Sequence, residues 1–171
     1  QPAYLVYSIE SNELLNNSPE LWDTFRLVMN AVRIRLKAKY PTLKMSESVT
    51  LHNWFEPTVD DATAYINEIK DLVSTMDFAA ISFYPFFKGL NKQKAFQKAL
   101  DFLHEQTDLP IAFAETNHLA NDLEIESFGL NIKSSEKEQV EYLKTLFFNA
   151  HQHNYAFVIW WAYRDFDKLW E

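Results

Sequence analysis

Cysteine is absent from the 171 residues, which excludes a disulfide framework and any thiolate metal site and leaves the compartment unreadable from redox chemistry. Basic charge is scarce as well. Sixteen Lys and Arg stand against 24 Asp and Glu, for a net charge of −8 and a pI near 5.1, the wrong balance for gripping a phosphate backbone, so no nucleic-acid partner is expected. The one dense basic stretch, Arg33 to Lys39, falls inside a helical pattern and reads as its solvated face. No apolar run is long enough to span a membrane. With two glycines and six prolines there is no Gly-, Ser- or Pro-rich linker, and residues 1–171 read as a single domain. The sequence opens Gln1-Pro2-Ala3 without methionine or signal peptide, as a processed or truncated chain would.

What the chain does have is 47% hydrophobic and 16% aromatic content, enough to bury one substantial core. Apolar strand-like runs alternate with amphipathic stretches, the pattern of a parallel sheet with crossover helices. The expected strands are Ala3 to Ile9, Ser48 to Trp54, Phe78 to Tyr84, Ile111 to Ala114 and Ala156 to Trp161. Helices are expected from Pro19 to before Pro41, with Leu21, Trp22, Phe25, Val28, Met29 and Val32 at helical spacing, and over Asp61 to Ser74, Lys92 to Glu105 and Glu136 to His151. Residues 117–133 are the longest irregular segment and follow the fourth strand directly. Loops at strand ends are where such folds keep their binding chemistry.

Two strings about a hundred residues apart carry the chemistry. Ser8-Ile9-Glu10-Ser11-Asn12-Glu13 and Ile111-Ala112-Phe113-Ala114-Glu115 each bring a glutamate to the end of an apolar run. A buried strand that ends in a carboxylate carries that charge to the sheet edge where α/β folds form clefts. A glutamate opening a loop is commonly a solvated charge; two of them on neighbouring strand ends are the machinery of glycoside hydrolysis, one to protonate the leaving oxygen and one to attack the anomeric carbon.

The order of these residues resembles the retaining glycoside hydrolases of the (β/α)8-barrel clan whose catalytic glutamates end strands four and seven. Asn12-Glu13 matches the Asn-Glu that ends strand four, and Ala114-Glu115 matches the nucleophile that ends strand seven. Ser82-Phe83-Tyr84-Pro85-Phe86 matches the Tyr-Pro at the end of strand six. Trp160-Trp161-Ala162-Tyr163-Arg164-Asp165 matches the tryptophan of strand eight. Among families the chain is most similar to the endo-β-1,4-galactanase group, with the xylanase-like group next on its Trp-x-x-x-x-Asp ending.

The resemblance implies the C-terminal part of a TIM barrel, about strands 4–8 only. An upstream segment or a second chain is then expected to complete the barrel and cover its unpaired edges. It also implies an oligo- or polysaccharide substrate, no cofactor, and an extracellular or periplasmic location. Glu13 becomes the candidate acid/base and Glu115 the candidate nucleophile. For both roles to be filled at one pH the pair must titrate apart. Asn12 would hold the sugar 2-hydroxyl, Tyr84 would aim Glu115, and Trp160 or Trp161 would offer a flat face to the pyranose ring. Strand alternation sends only one tryptophan inward, and the resemblance favours Trp160.

His52 and Trp54, ending the second expected strand, would line the cleft. Glu10 reads as a barrel ion pair or a substrate contact, the ion pair being favoured. Asn16-Asn17-Ser18 matches a glycosylation sequon, a pattern frequent by chance. Two competing readings remain. A metal-dependent (β/α)8 isomerase or hydrolase would use Glu13, Glu115, His52, His118 and Asp165, although His151-Gln152-His153 falls at the opposite face and no His-Glu-x-x-His occurs. A non-catalytic carbohydrate-binding protein would use the same aromatic surface.

Overall fold

A computed structural model describes residues 2–161, so Asp165 and the rest of the expected strand-eight ending after Trp161 lie outside the described residues. In chain order the elements are β1 (Tyr4–Ser8), α1 (Asn12–Asn17), α2 (Trp22–Lys39), β2 (Lys44–Thr50), α3 (Leu51–Phe55), α4 (Ala62–Ser74), β3 (Ala79–Phe83), α5 (Gln93–Gln106), β4 (Ile111–Thr116), β5 (Leu123–Ile125), β6 (Leu130–Ile132), α6 (Glu136–Gln152) and β7 (Phe157–Trp160). Among the described residues five strands pair in the order β1-β2-β3-β4-β7, all parallel. Parallel neighbours need crossovers, and α2, α4, α5 and α6 supply them.

The helices begin where local chemistry favours it. Asp61 accepts from the backbone N–H of Ala64 at the start of α4, and Ser135 accepts from Glu138 N–H at the start of α6, each satisfying a donor that the first turn leaves open. The expected first helix starts as a 3-10 turn at Pro19–Leu21 and becomes α2 at Trp22.

The sheet is buried on both faces. On the helix side Val49, Ile81, Phe83, Ile111 and Phe113 pack with Ile69, Leu72, Leu100, Leu103 and Leu146 from the crossover helices. On the other face Phe78, Ala80 and Ala112 meet Val6, Ala114 and Phe157. Tyr4 stands edge-on to Phe78 and Phe157, with ring centroids 5.2 Å away in each case, and closes the floor of that face with aromatic surface. Above this floor the inner face carries small side chains, Ser48, Ala80, Ser82, Ala112 and Ala114, which leave room at the C-terminal end.

Three elements differ from the sequence reading. The second strand runs Lys44–Thr50 instead of Ser48 to Trp54, and Leu51 to Phe55 form α3. Its polar letters hid it. Ser46, Glu47 and Ser48 are all buried, and the Glu47 carboxylate is satisfied by the hydroxyls of Tyr7 (3.1 Å) and Ser11 (2.8 Å), as a buried charge must be. Asn12-Glu13 is not at a strand end but opens the six-residue helix α1, too short to show a periodicity. The segment 117–133 contains an antiparallel hairpin, β5-β6, joined by a 3-10 turn that ends on Gly129 at φ +60°.

Trp54, expected in the cleft, is instead fully buried in the helix-side core. Its indole N–H donates to the Ile66 carbonyl at 3.1 Å, and its ring stands edge-on to Phe102 at 5.7 Å. Trp54→Ala is expected to cost about 3–5 kcal/mol in denaturant unfolding, and Trp54→Phe less, through the orphaned Ile66 carbonyl. Unchanged stability with weakened glycan binding would instead return Trp54 to a substrate role.

Candidate active site

Because the five strands are parallel, their C-terminal ends gather on one side, and the loops leaving them build a single floor. Alternation along β4 places Phe113 on the helix side, so two residues on Glu115 would face the helices as well. It does not, because β4 carries an extra residue. Ile81 pairs with Phe113 and Ser82 with Glu115, and on the other flank Phe113 pairs with Val158 and Thr116 with Trp160. Both neighbours thus advance by one residue fewer than β4 between Phe113 and the strand end. Such a bulge re-aims the side chains that follow it. Here it turns Glu115 to the inner face and returns Thr116 to the helix side, where it donates to the Phe83 carbonyl at 2.7 Å. Tyr84, following β3, donates its hydroxyl to Glu115 Oε2 at 2.9 Å. Burial, then the Glu115 charge, hold the Tyr84 hydroxyl well above its ordinary range, so it serves as a donor.

The segment after β1 delivers two more carboxylates to the same space. Glu10 adopts φ +50°, a left-handed conformation uncommon outside glycine. Its N–H donates to Ser48 Oγ at 2.8 Å. Its side chain crosses the inner face to Ser82, whose hydroxyl donates to Glu10 Oε1 at 2.5 Å. Burial raises the Glu10 carboxyl above the usual carboxylate range, Glu115 and Glu13 push it the same way, and the Ser82 hydrogen bond opposes them, each by its effect on the charged form. The favoured reading of Glu10 as a barrel ion pair is therefore corrected: its described partner is a serine hydroxyl, and its charged neighbours are acidic.

Glu13, in the first turn of α1, reaches the cavity from the other wall. Its Oε1 accepts from the hydroxyl of Thr50 and from Asn53 Nδ2 at 2.6 Å, and its Oε2 lies 3.5 Å from Asn17 Nδ2. Asn12 beside it is fully buried. Its amide accepts from Thr50 N–H (2.7 Å) and donates to the Thr50 hydroxyl (2.9 Å) and to Tyr65 (3.0 Å), which ties α1 to β2 and away from a sugar hydroxyl.

Glu10, Glu13, Tyr84 and Glu115 line one cavity of about 530 Å³ together with Thr50, His52, Asn53 and Phe87. Its outer wall is the β5-β6 hairpin, through Leu123, Ile125 and Leu130, and this hairpin packs on Tyr84, Phe86 and Leu119. Clefts of similar volume on the helical side, beside Arg26 and Glu47 and beside Trp22 and Tyr65, lie away from these strand ends.

His52 is buried against Phe87, and desolvation lowers its pKa to about 4, so it is neutral near pH 7. Its Nδ1 meets no partner among the described residues. Of the two tryptophans, Trp160 packs on the helix side beside Tyr142, with ring centroids 6.2 Å apart, while Trp161 is half exposed. This reverses the expectation that Trp160 faces inward. His118 is buried between Phe86, Phe96 and Tyr142 outside the cavity lining. Among the described residues no group of three or more His, Asp or Glu is gathered to hold a metal ion. No helix of the described residues is long and apolar enough to cross a membrane.

Neither a known family profile nor a curated protein matches the sequence. Solved structures do. The chain superposes on the GH53 catalytic domain of Ignisphaera aggregans with a TM-score of 0.61 and 21% identity, covering 93% of this chain and 47% of that one. The fold is part of a (β/α)8 barrel. It spans about half the length of that domain. An endo-laminarinase from Formosa Hel1_33_131 (TM-score 0.47, 13% identity, 84% and 42% covered) and a β-glucuronidase from Ruminococcus gnavus (0.42, 16%, 73% and 20%) also match.

Sequence reasoning missed the importance of Glu10 and the hairpin wall. The alternation signal offers no means of anticipating a bulge, and Glu10 lacks the preceding asparagine that drew attention to Glu13. A carboxyl whose pKa rises on folding is more easily protonated in the folded chain. Its burden on stability is thus absent at low pH and develops as pH climbs through the ordinary carboxylate range toward the raised value. Glu10→Gln is expected to raise the melting temperature at neutral pH, with the gain shrinking as pH falls toward about 4.5 and vanishing below it. A loss of stability of equal size at both pH values would contradict the burial argument.

Proposed function

We propose that this protein is a glycoside hydrolase that cleaves β-linked glycans by retaining double displacement, with Glu115 as nucleophile and a glutamate of the segment 10–13 as acid/base. The observation that carries the reading is the Glu115 carboxylate, turned inward by its bulge, held by the Tyr84 hydroxyl at 2.9 Å and sharing a cavity with a second carboxylate. Glu10 is bonded to Ser82, and Ser82 is the register partner of Glu115 on the neighbouring strand, so both carboxylates belong to adjoining strand ends of one cavity. Retaining enzymes need their carboxyl groups about 5 Å apart, close enough for a covalent glycosyl-enzyme. Tyr84 fixes the attacking oxygen, and the half-exposed Trp161 and the Phe87 ring supply apolar surface for a pyranose face.

The similarity to a GH53 catalytic domain supports a carbohydrate substrate, and the resemblance to galactanases makes galactan the first polymer to try. A polymeric substrate implies an enzyme outside the cytoplasm, in the periplasm or the medium. A non-catalytic carbohydrate-binding role is the competing reading, favoured by the partial span of the barrel. Glu115→Gln, nearly isosteric, is expected to lower turnover by more than about 10³-fold with the fold intact, and a 2-fluoro-glycoside inactivator is expected to label Glu115 in the native protein. Retained turnover in that variant would exclude the mechanism; binding of glycan without cleavage, indifferent to the substitution, would establish the binding role.

The reading also includes a partner for the sheet edges. β1 and β7 stand at the ends of the described sheet, and the helices that flank them expose apolar side chains, Leu27, Val28 and Ile34 on α2 and Val140, Phe147 and Phe148 on α6. We propose that a further βα segment, in the same polypeptide or a second chain, covers these faces. Residues 1–171 expressed alone are then expected to elute as oligomer or aggregate in size-exclusion chromatography with light scattering; a monodisperse monomer would argue against it.

A further inference from the structure

We propose that Glu10, rather than Glu13 of the Asn-Glu pair, is the acid/base of this site; the inference rests on the glycosidase reading and names its proton donor. A proton donor to the leaving oxygen has to present a carboxyl oxygen to the substrate and stand about 5 Å from the nucleophile. Glu13 reaches the same cavity but is already engaged by protein donors. Its Oε1 receives both the Thr50 hydroxyl and the Asn53 amide, its Oε2 faces Asn17, and these bonds make it the clasp between α1 and the end of β2. Glu10 receives a single described side-chain bond, from Ser82 to Oε1, and its Oε2 is left for a ligand. The bond that Glu10 does make ties it to the register partner of Glu115.

Two further observations point the same way. The left-handed backbone at Glu10, φ +50°, is a conformation that costs energy for a residue with a Cβ, persists where the surrounding structure over-determines it, and clusters at active sites. A glycine would remove the strain, yet the chain spends one of its acidic residues there. Burial and its acidic neighbours also hold the Glu10 carboxyl above the usual range, as an acid working near neutral pH requires.

The chemistry balances with these groups. Glu115 attacks the anomeric carbon, the bond from that carbon to the leaving oxygen breaks with its electron pair on oxygen, and that oxygen takes the Glu10 proton. Glu10, now ionised, takes a proton from water as the water oxygen attacks the same carbon and releases the Glu115 carboxylate. Glu13 acts as a positioning residue through Thr50 and Asn53.

The test uses the intact native protein and 2,4-dinitrophenyl and 4-methylumbelliferyl β-glycosides of galactose, xylose, mannose and glucose, followed on whichever sugar the unaltered protein hydrolyses. Glu10→Gln is expected to lose about 10²–10⁴-fold in kcat/KM on the methylumbelliferyl glycoside. On the dinitrophenyl glycoside, whose leaving group needs no proton, the loss is expected to be far smaller. Azide is expected to restore its turnover with formation of the β-glycosyl azide, and the alkaline limb of the pH profile is expected to disappear. Glu13→Gln is expected to lower both substrates by a similar factor and to keep that limb.

The reverse pattern, with leaving-group dependence and azide rescue in Glu13→Gln, overturns the proposal and leaves the glycosidase reading standing. Absence of hydrolysis of every probe by the unaltered protein, with no labelling of Glu115, overturns both. A variant-independent measurement guards against misfolding: the carboxyl carbon of Glu10 in the unaltered protein, followed by ¹³C NMR, is expected to titrate above the ordinary glutamate range, and a titration within or below that range overturns the proposal.

Discussion

One extra residue in β4 decides what this chain can do. A parallel strand buried on both faces offers no obvious side for a charge, and strict alternation would have sent the Glu115 carboxylate into the apolar layer beneath α5 and α6, at a prohibitive desolvation cost. The bulge between Phe113 and Thr116 separates the two demands. Phe113 still fills the helix-side core, stacked on Tyr155 at 5.3 Å, and Thr116 still closes that layer through the Phe83 carbonyl. Only Glu115 is re-aimed, into a space that the small residues of the inner face keep open. Everything else in the site is arranged around that direction: Tyr84 donates to it, Ser82 pairs with it, and Glu10 reaches Ser82 from across the sheet.

Most of the architecture was legible because apolar runs separated by long amphipathic stretches leave little choice but a parallel sheet with crossovers. The legible positions were those where burial and hydrophobicity agree, as in Ala79 to Phe83 or Ile111 to Phe113. The sequence misled where burial is polar. β2 spends Ser46, Glu47 and Ser48 in the interior and looks like a loop until the partners of those groups are seen. Trp54 and Trp160 illustrate the complementary error. Both are aromatic residues near strand ends, a position that suits a sugar platform, and both serve the helix-side core because the strand or helix phase beneath them points that way. Phase depends on bulges and on where a strand stops, and neither has a local sequence signature.

The open sheet has its own logic. A closed barrel abolishes edges, whereas the five described strands keep two, one along β1 and one along β7. Most of the large apolar side chains left outside gather at the two ends. Eight of the twelve sit on α2 and α6, the helices beside those two edge strands, and on Tyr4 and Ile159 of the edge strands themselves, with Ile9, Leu21, Phe87 and Trp161 elsewhere, while α4 and α5 in the middle bury Ile69, Leu72, Leu100 and Leu103 completely. Exposure concentrated toward both ends of one sheet suits the proposed covering segment. It is consistent with a chain that covers 47% of the barrel domain it superposes on.

The rigidity that an acid cluster needs comes from a buried amide. Three carboxylates around one cavity repel one another, and on a mobile loop they would splay into solvent and ionise independently. Asn12 prevents this. It lies between Glu10 and Glu13 in sequence and uses its whole side-chain amide on Thr50 and Tyr65, so the turn from β1 into α1 is locked to β2 and α4. A fully buried amide tolerates no missing bond without a penalty of about 1–3 kcal/mol, which makes the lock cooperative: it holds in one register or fails. The left-handed backbone at Glu10, the clasp made by Glu13 and the reach of Glu10 to Ser82 all follow from that register. The asparagine that the sequence reading assigned to a sugar hydroxyl therefore contributes to the site one step further back, by fixing where the two glutamates beside it can be.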